Sequence, residues 1–330
     1  MKNIVVLFYD KLNNIKINNI ELPIDNYTDF EDFQNELMLL NDKYEVLMLD
    51  NHNESIDYFF KNKDNIDLVV NLADNGYEND FSKNAFFIEL FNFLGIKYTG
   101  RQANNVEFLE RKDLMLYVMD YLEINFPNTA IYYPEIDITF LEEKVNSLTY
   151  PVIVKMGFSG DSLLLDESSI CNSFQQVTDR IDYLEKSLGQ KDIILIQEFI
   201  EDAREYTTLI IGNAECNDIK ALTIRVTPKN FYDFNQKNYS SLPVKDFYRR
   251  CDIENSELGE IEEELINLKS ITKCKDYVRF DWLLDQESNF FLLDINANPA
   301  FDSELFKLYN KYFPIEGRIL GYIINSALNR

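Results

Sequence analysis

From Val278 to Trp282 apolar and polar residues alternate, with Val278, Phe280 and Trp282 on one side and Arg279 and Asp281 on the other. That is the period of a strand whose two faces differ. The turn formers Asp285 to Asn289 follow, and a second apolar run, Phe290 to Leu293, leads back, so the stretch reads as a β-hairpin. Upstream, Ile4 to Tyr9, Val46 to Leu49 and Leu68 to Leu72 are apolar runs of buried-strand type. Between and after them come helical spacings: Phe33, Leu37 and Leu40 in one segment, and Phe86, Phe87, Leu90, Phe91 and Leu94 in a helix predicted over Phe81 to Leu94 and stopped by Gly95. Strands alternating with helices imply a parallel sheet covered on both faces.

The middle of the chain predicts a single helix from Asn105 to Leu122 that carries Arg111 and Lys112, a strand over Asn128 to Tyr133 and a short helix over Ile138 to Val145. Pro151 to Lys155 is an apolar strand ending in a lysine. It runs into the small-residue loop Gly157 to Ser162, from which a further strand, Leu163 to Leu165, departs. Ser168 then caps a helix reaching Leu188. Strands follow at Ile193 to Ile196, Tyr206 to Ile211 and Ile219 to Thr227, then a polar and aromatic segment, Lys229 to Tyr239, and an amphipathic helix, Glu257 to Lys273.

This pattern suggests chemistry at two places. The hairpin delivers oxygen from both arms, Asp281 on the first and Asp294 and Asn296 on the second. An oxygen-only set suits Mg²⁺. Arg279, two residues before Asp281, shares its face and suits a substrate oxyanion. An ordinary acidic hairpin with a structural Arg–Asp pair is the other reading. Lys155 with its loop makes a flap able to fold over a polyphosphate, with backbone N–H groups and Ser162 facing it; a plain turn between strands fits the same residues. It is not a Walker loop, because the lysine comes first.

Composition narrows the picture. With 330 residues and 46% hydrophobic content the chain can build two or three cores. Its net charge of −25 argues against nucleic acid but leaves room for a nucleotide in a local basic pocket. Four cysteines lack metal spacing, and the lone histidine, His52, excludes multi-histidine zinc sites and makes Ser-His-Asp chemistry a poor fit. His52 follows a strand and is expected to cap or face solvent. The strand-like start, charged by Asp10, does not read as a signal peptide, and no apolar run approaches membrane-spanning length, so a cytoplasmic location is expected.

Taken in order, Lys155 and its loop, the Glu198 segment, Glu205, Lys237, Arg279, Asp281, Asp294 and Asn296 resemble the ATP-grasp superfamily, and within it the D-alanine–D-alanine ligases. The resemblance is carried by Tyr150-Pro-Val-Ile-Val-Lys155, Phe231-Tyr-Asp-Phe-Asn-Gln-Lys237, Leu292-Leu-Asp-Ile-Asn-Ala-Asn-Pro299, Leu94-Gly-Ile-Lys-Tyr-Thr-Gly100 and Arg204-Glu-Tyr-Thr207. It implies an α/β ATP-grasp fold with an N-terminal α/β domain (1–102), a central lid domain (103–198) and a C-terminal ATP-grasp domain (199–330). It further implies ATP and two Mg²⁺ as cofactors. Lys112 and Lys155 would meet phosphates with Ser162 in the loop; Glu198, Phe199, Ile200 and Glu201 would line adenine; Glu205 would take the ribose. Lys237 would reach the γ-phosphate, Asp281, Asp294 and Asn296 would hold the metal, and Arg279 would stabilise the tetrahedral intermediate.

The activity implied is an ATP-dependent ligase joining a carboxylate to an amine through an acyl phosphate, with small-molecule substrates and neither nucleic acid nor membrane as partner. A homodimer stays open. Departures from the family pattern fall in the substrate half. Asp10-Lys-Leu-Asn-Asn14 stands where a glycine-rich loop is usual, Ala73-Asp-Asn-Gly-Tyr77 replaces a His-Gly motif, and Leu305 replaces a serine; Asp294 stands for a glutamate and Asp161 for a serine. They set up the expectation that the substrates are not two D-alanines. A D-alanine–D-alanine ligase with a diverged pocket and a non-catalytic nucleotide-binding protein are the alternatives.

Overall fold

The computed structural model describes residues 1–17, 19–22, 34–40, 44–100, 102–158, 164–213, 219–227, 248–299, 303–315 and 318–330. Ser162 and Lys237, the loop 159–163 and the segment 229–239 lie outside them.

The first sheet is parallel, with β1 (Lys2–Leu7) between β4 (Tyr44–Leu49) and β5 (Leu68–Asn71). Its middle strand is buried on both faces, as a continuous apolar run requires. A small hairpin, β2 (Ile15–Ile17) with β3 (Ile20–Leu22), precedes β4. Helix α1 (His52–Asn62) is capped by the Asn51 side chain, and α2 (Phe86–Leu94) ends at Gly95 with φ 70, the left-handed stop expected. That second helix is shorter than its apolar pattern suggests. Phe81–Lys83 forms a separate single turn, because the Asp80 carboxylate accepts from the Ser82 N–H and starts a turn of its own.

The helix expected over 105–122 is two helices, α3 (Ala103–Glu110) and α4 (Lys112–Tyr121), broken at Arg111 with φ −81 and ψ 82. Instead of completing a helical bond, the Lys112 N–H donates to the Gly157 carbonyl at 3.1 Å. Arg111 turns back to clasp the buried Asp113 through two 2.7 Å bonds.

The second sheet is antiparallel, in the order β6 (Thr129–Tyr132), β9 (Ile194–Glu198), β7 (Val152–Met156), β8 (Ile170–Cys171). It shares a core with α5 (Ile138–Asn146) and α6 (Phe174–Leu188). Two expectations change here. Leu164 is a turn residue with φ 57 and Leu165 lies outside any strand, so β8 is the strand that pairs with β7. The cap of α6 is Ser173, whose side chain accepts from Gln176, while Ser168 sits in an earlier single turn bonded to Asp166.

The third sheet is antiparallel, in the order β12 (Tyr248–Arg250), β11 (Lys220–Val226), β10 (Arg204–Ile211), β13 (Tyr277–Leu284), β14 (Phe290–Asn296). One face packs Tyr206, Phe280 and Trp282 into a core shared with α7 (Asn255–Ile271). The Trp282 indole N–H donates to Thr208 at 2.9 Å, and its ring stacks on Tyr206 at 4.6 Å. The other face packs with α8 (Ser303–Tyr312) and α9 (Arg318–Asn329), in the same core as Ile4, Val6 and Val70 of the first sheet. Among the described residues no helix is long and apolar enough to cross a membrane.

His52 is fully buried, contrary to the expectation that it would cap or face solvent. One ring nitrogen, Nε2, lies 2.8 Å from the Phe8 carbonyl, and Nδ1 accepts from the Glu78 N–H. Burial outweighs the Phe8 carbonyl and the charges of Asp10 and Glu78, and pushes its pKa below the ordinary value. The result is a neutral ring with both nitrogens in use.

Candidate active site

The hairpin forms as its pattern predicts, closed by Asp285, whose Oδ1 accepts from the N–H groups of Glu287 and Asn289. Its register sets Asp281 opposite Asp294 and Arg279 opposite Asn296, so all four come together. The ladder slips by one residue just beyond, where Trp282 pairs with Leu292. Leu293 is the extra residue of this bulge. Two successive residues, Leu293 and Asp294, therefore sit between Leu292 and Ile295, which are both in the core. Re-aiming a side chain is what a bulge beside a site does.

Arg279 holds Asp281 with both arms of its guanidinium, Nε to Oδ1 at 3.1 Å and Nη2 to Oδ2 at 3.0 Å. Thr207 donates to the same Oδ1 at 2.7 Å from the neighbouring strand. Burial alone would disfavour the arginine's charge, but Asp281 outweighs it and raises the Arg279 pKa above its ordinary value. Asn296 Oδ1 accepts from the Asn298 N–H at 3.1 Å.

Beside Asp294 lies a pocket between α4, β7, β9 and β14. Lys112, Lys155 and Asp294 supply its charge, Gln197 a further polar group, and Met115, Leu116, Met119, Leu195, Leu293 and Ile295 an apolar lining. The helix break places Lys112 in the first turn of α4, where its Nζ reaches Asp294 Oδ2 at 3.1 Å. Lys155 ends the expected apolar strand. Desolvation lowers its pKa, the charge of Lys112 lowers it further, and Asp294 and Glu205 pull it back only in part, to about 8. The Glu198 carboxylate binds the Thr149 N–H at 2.7 Å and the Asn128 amide at 2.9 Å, and the Phe199 N–H is used by Pro151.

Sequence reasoning missed the apolar lining. Met115, Leu116 and Met119 stand at helical spacing, and no motif separates a core stripe from a pocket wall. It placed Thr207 within a family motif but gave it no role, and missed its bond to Asp281.

A family profile described as D-ala D-ala ligase C-terminus matches residues 116–324. The chain belongs to the D-alanine–D-alanine ligase family. A D-alanine–D-alanine ligase of Prochlorococcus marinus is 30% identical over 208 residues, 62% of this chain and 53% of that protein. The chain spans about half the length of the first curated relatives it matches. Among solved structures, the Bacillus anthracis D-alanine–D-alanine ligase complexed with ATP superposes with a TM-score of 0.73 at 17% identity, covering 100% of this chain and 98% of that one. The VanG D-Ala:D-Ser ligase of Enterococcus faecalis reaches 0.68 at 14% identity, with 99% of both chains covered. This chain of the ligase family has the ATP-grasp fold.

Members of this family imply a magnesium ion, and the donors suit one. They are two carboxylates facing each other across a strand pair and one amide oxygen, with neither sulfur nor imidazole. Among the described residues no three His, Cys, Asp or Glu side chains gather as a metal-binding group, so here the third oxygen donor has to be the Asn296 amide.

The position of Lys155 gives a pH dependence with a definite sign. Below pH 8 the amine is charged whether or not phosphate is bound. Above it, a polyphosphate held by Lys155 would have to restore the proton, so if Lys155 meets the phosphates the affinity falls as pH rises, by up to about tenfold per unit. Folding responds the other way. An unfolded lysine keeps its proton to about 10.5, so between pH 8 and 10.5 the unfolded chain binds more protons and this group's contribution to stability rises with pH. Calorimetric titration with ATP from pH 7 to 9.5 tests it; an affinity that Lys155→Arg does not make less pH-dependent would refute it.

Proposed function

We propose that this chain is an ATP-dependent ligase that joins a carboxylate to an amine, with ATP in the pocket lined by Lys112, Lys155 and Asp294. The observation carrying this reading is the convergence of two lysines and a carboxylate on an apolar slot, next to a second carboxylate locked to an arginine. The apolar lining suits a purine, and by the family pattern Glu198, Phe199, Ile200 and Glu201 would line the adenine and Glu205 would take the ribose. The lysine ammoniums suit phosphates, and Ser162 and Lys237 complete that set by the family pattern. The three domains, 1–102, 103–198 and 199–330, belong to the same reading.

Mg²⁺, as one ion or two, would be held by Asp281, Asp294 and Asn296 and supplies charge neutralisation on the phosphates. The chain's own residues do the rest. Lys155 and Lys112 fix the polyphosphate, and the pocket wall excludes water. Phosphoryl transfer to the substrate carboxylate makes an acyl phosphate, whose attack by the amine puts negative charge on the former carbonyl oxygen. Arg279, already oriented by Asp281, donates to that oxygen.

For the substrates, the names of the curated relatives favour two D-alanines over another pair. The D-Ala:D-Ser neighbour adds D-serine as a second acceptor. Leu305, the family's serine, is buried in the core beside Leu308 and Tyr309, so an acceptor carboxylate must find another donor. The test is ADP release with D-alanine alone, with D-alanine plus D-serine, and with a panel of amino acids and hydroxy acids. D-alanine alone is expected to suffice. A signal only from another pair replaces this substrate, and none with any pair argues against catalysis.

A further inference from the structure

Both carboxylates of the hairpin already hold cations. Arg279 takes both oxygens of Asp281, which also accepts from Thr207. Lys112 takes Asp294 Oδ2 at 3.1 Å, and Asp294 Oδ1 accepts from the Ile295 N–H at 3.1 Å. The Asp281 pair is a two-armed fork, hard to displace. The Asp294 partner is a single ammonium on a flexible stem, 20% exposed, at the mouth of the pocket that Lys155 also lines.

We propose that Lys112 is an exchangeable counter-ion. It occupies Asp294 while the pocket is empty, and moves to a polyphosphate when nucleotide enters, which frees the carboxylate oxygen for a divalent cation. This inference rests on the site reading above and adds what that reading does not contain, a coupling between the two ligands. A metal ion arriving alone has to displace an ammonium and then sit within a few ångströms of it. A metal arriving with nucleotide does not, because the phosphates draw the ammonium away. The chain therefore binds divalent cation weakly alone and tightly with nucleotide. The coupling is reciprocal, so the cation strengthens nucleotide binding by the same factor. The α3–α4 break serves this exchange, since it fixes the Lys112 backbone to Gly157 and leaves only the side chain to move.

The experiment uses Mn²⁺ as the probe, with free ion counted by electron paramagnetic resonance in the full chain, with and without ADP, and with the ion that ADP chelates by itself measured without protein and subtracted. The wild-type chain is expected to bind Mn²⁺ weakly alone and at least tenfold more tightly with ADP, within the usual range of coupled sites. Lys112→Met should bind Mn²⁺ alone about tenfold more tightly than wild type and lose most of the ADP enhancement. Lys155→Met removes the same charge from the same pocket without breaking a contact to Asp294, and should strengthen Mn²⁺ binding less. Circular dichroism checks that both variants fold. Equal Mn²⁺ affinity in wild type and Lys112→Met overturns the proposal, as does an equal gain in both variants, which would mean a general field effect. If wild type binds no Mn²⁺ even with ADP, the site reading itself falls and the exchange with it.

Discussion

Arg279→Met is expected to lower ligase turnover by 10²–10³-fold, about 2.7–4 kcal/mol of barrier, the cost of losing one fixed donor to a developing oxyanion. ATP affinity should barely change, because Arg279 faces Asp281 and not the lysine-lined pocket. Arg279→Lys keeps the charge but not the fork that grips both oxygens of Asp281, so it too should fall well short of wild type. The measurement is steady-state ADP release beside calorimetric ATP binding on the same preparations. A turnover above a tenth of wild type in Arg279→Met would leave the Arg279–Asp281 pair with a structural role only.

Arg330→Ala is expected to be the most damaging change to stability far from the site. Asp276 is fully buried, and its carboxylate accepts from Arg330 at 2.8 and 3.1 Å, from the Asn213 amide at 2.8 Å and from the Gly100 N–H at 3.1 Å. Arg330 brings the only positive charge among these donors. Removing it leaves a buried carboxylate with neutral partners alone, a loss of about 3–5 kcal/mol. The double variant Arg330→Ala with Asp276→Asn should recover much of that, since the uncompensated charge goes too. Urea unfolding curves decide it. A loss below about 1 kcal/mol for Arg330→Ala would place this pair with ordinary surface bridges.

Much of the site was legible in the residues. A period of two made Arg279 and Asp281 neighbours on one face, and the acidic turn at Asp285 closed the hairpin that faces Asp281 with Asp294. What escaped was set by distant groups. The run 105–122 contains neither Gly nor Pro, so nothing local announces the break at Arg111; a carbonyl of Gly157 causes it. Leu292-Leu293-Asp294 looks like an uninterrupted strand, and its bulge exists because both Leu292 and Ile295 are claimed by one core. Ser168 and Ser173 are equally good caps by residue type, and Asp166 decided between them by taking the first. His52 was misjudged because its partners, Phe8 and Glu78, lie far apart in sequence.

The sequence contains one tryptophan, and it is Trp282, next to Asp281 and turned into the opposite core. Its indole is dry, stacked on Tyr206 and bonded to Thr208, whose neighbour Thr207 holds Asp281. Nature has thus put the molecule's single long-wavelength fluorophore in the sheet that carries the site. Its emission follows the melting of that sheet, while circular dichroism follows the helices and sheets of the whole chain. Denaturation curves that coincide by the two probes mean that the chain unfolds as one cooperative unit. Curves that separate give the order in which its cores come apart.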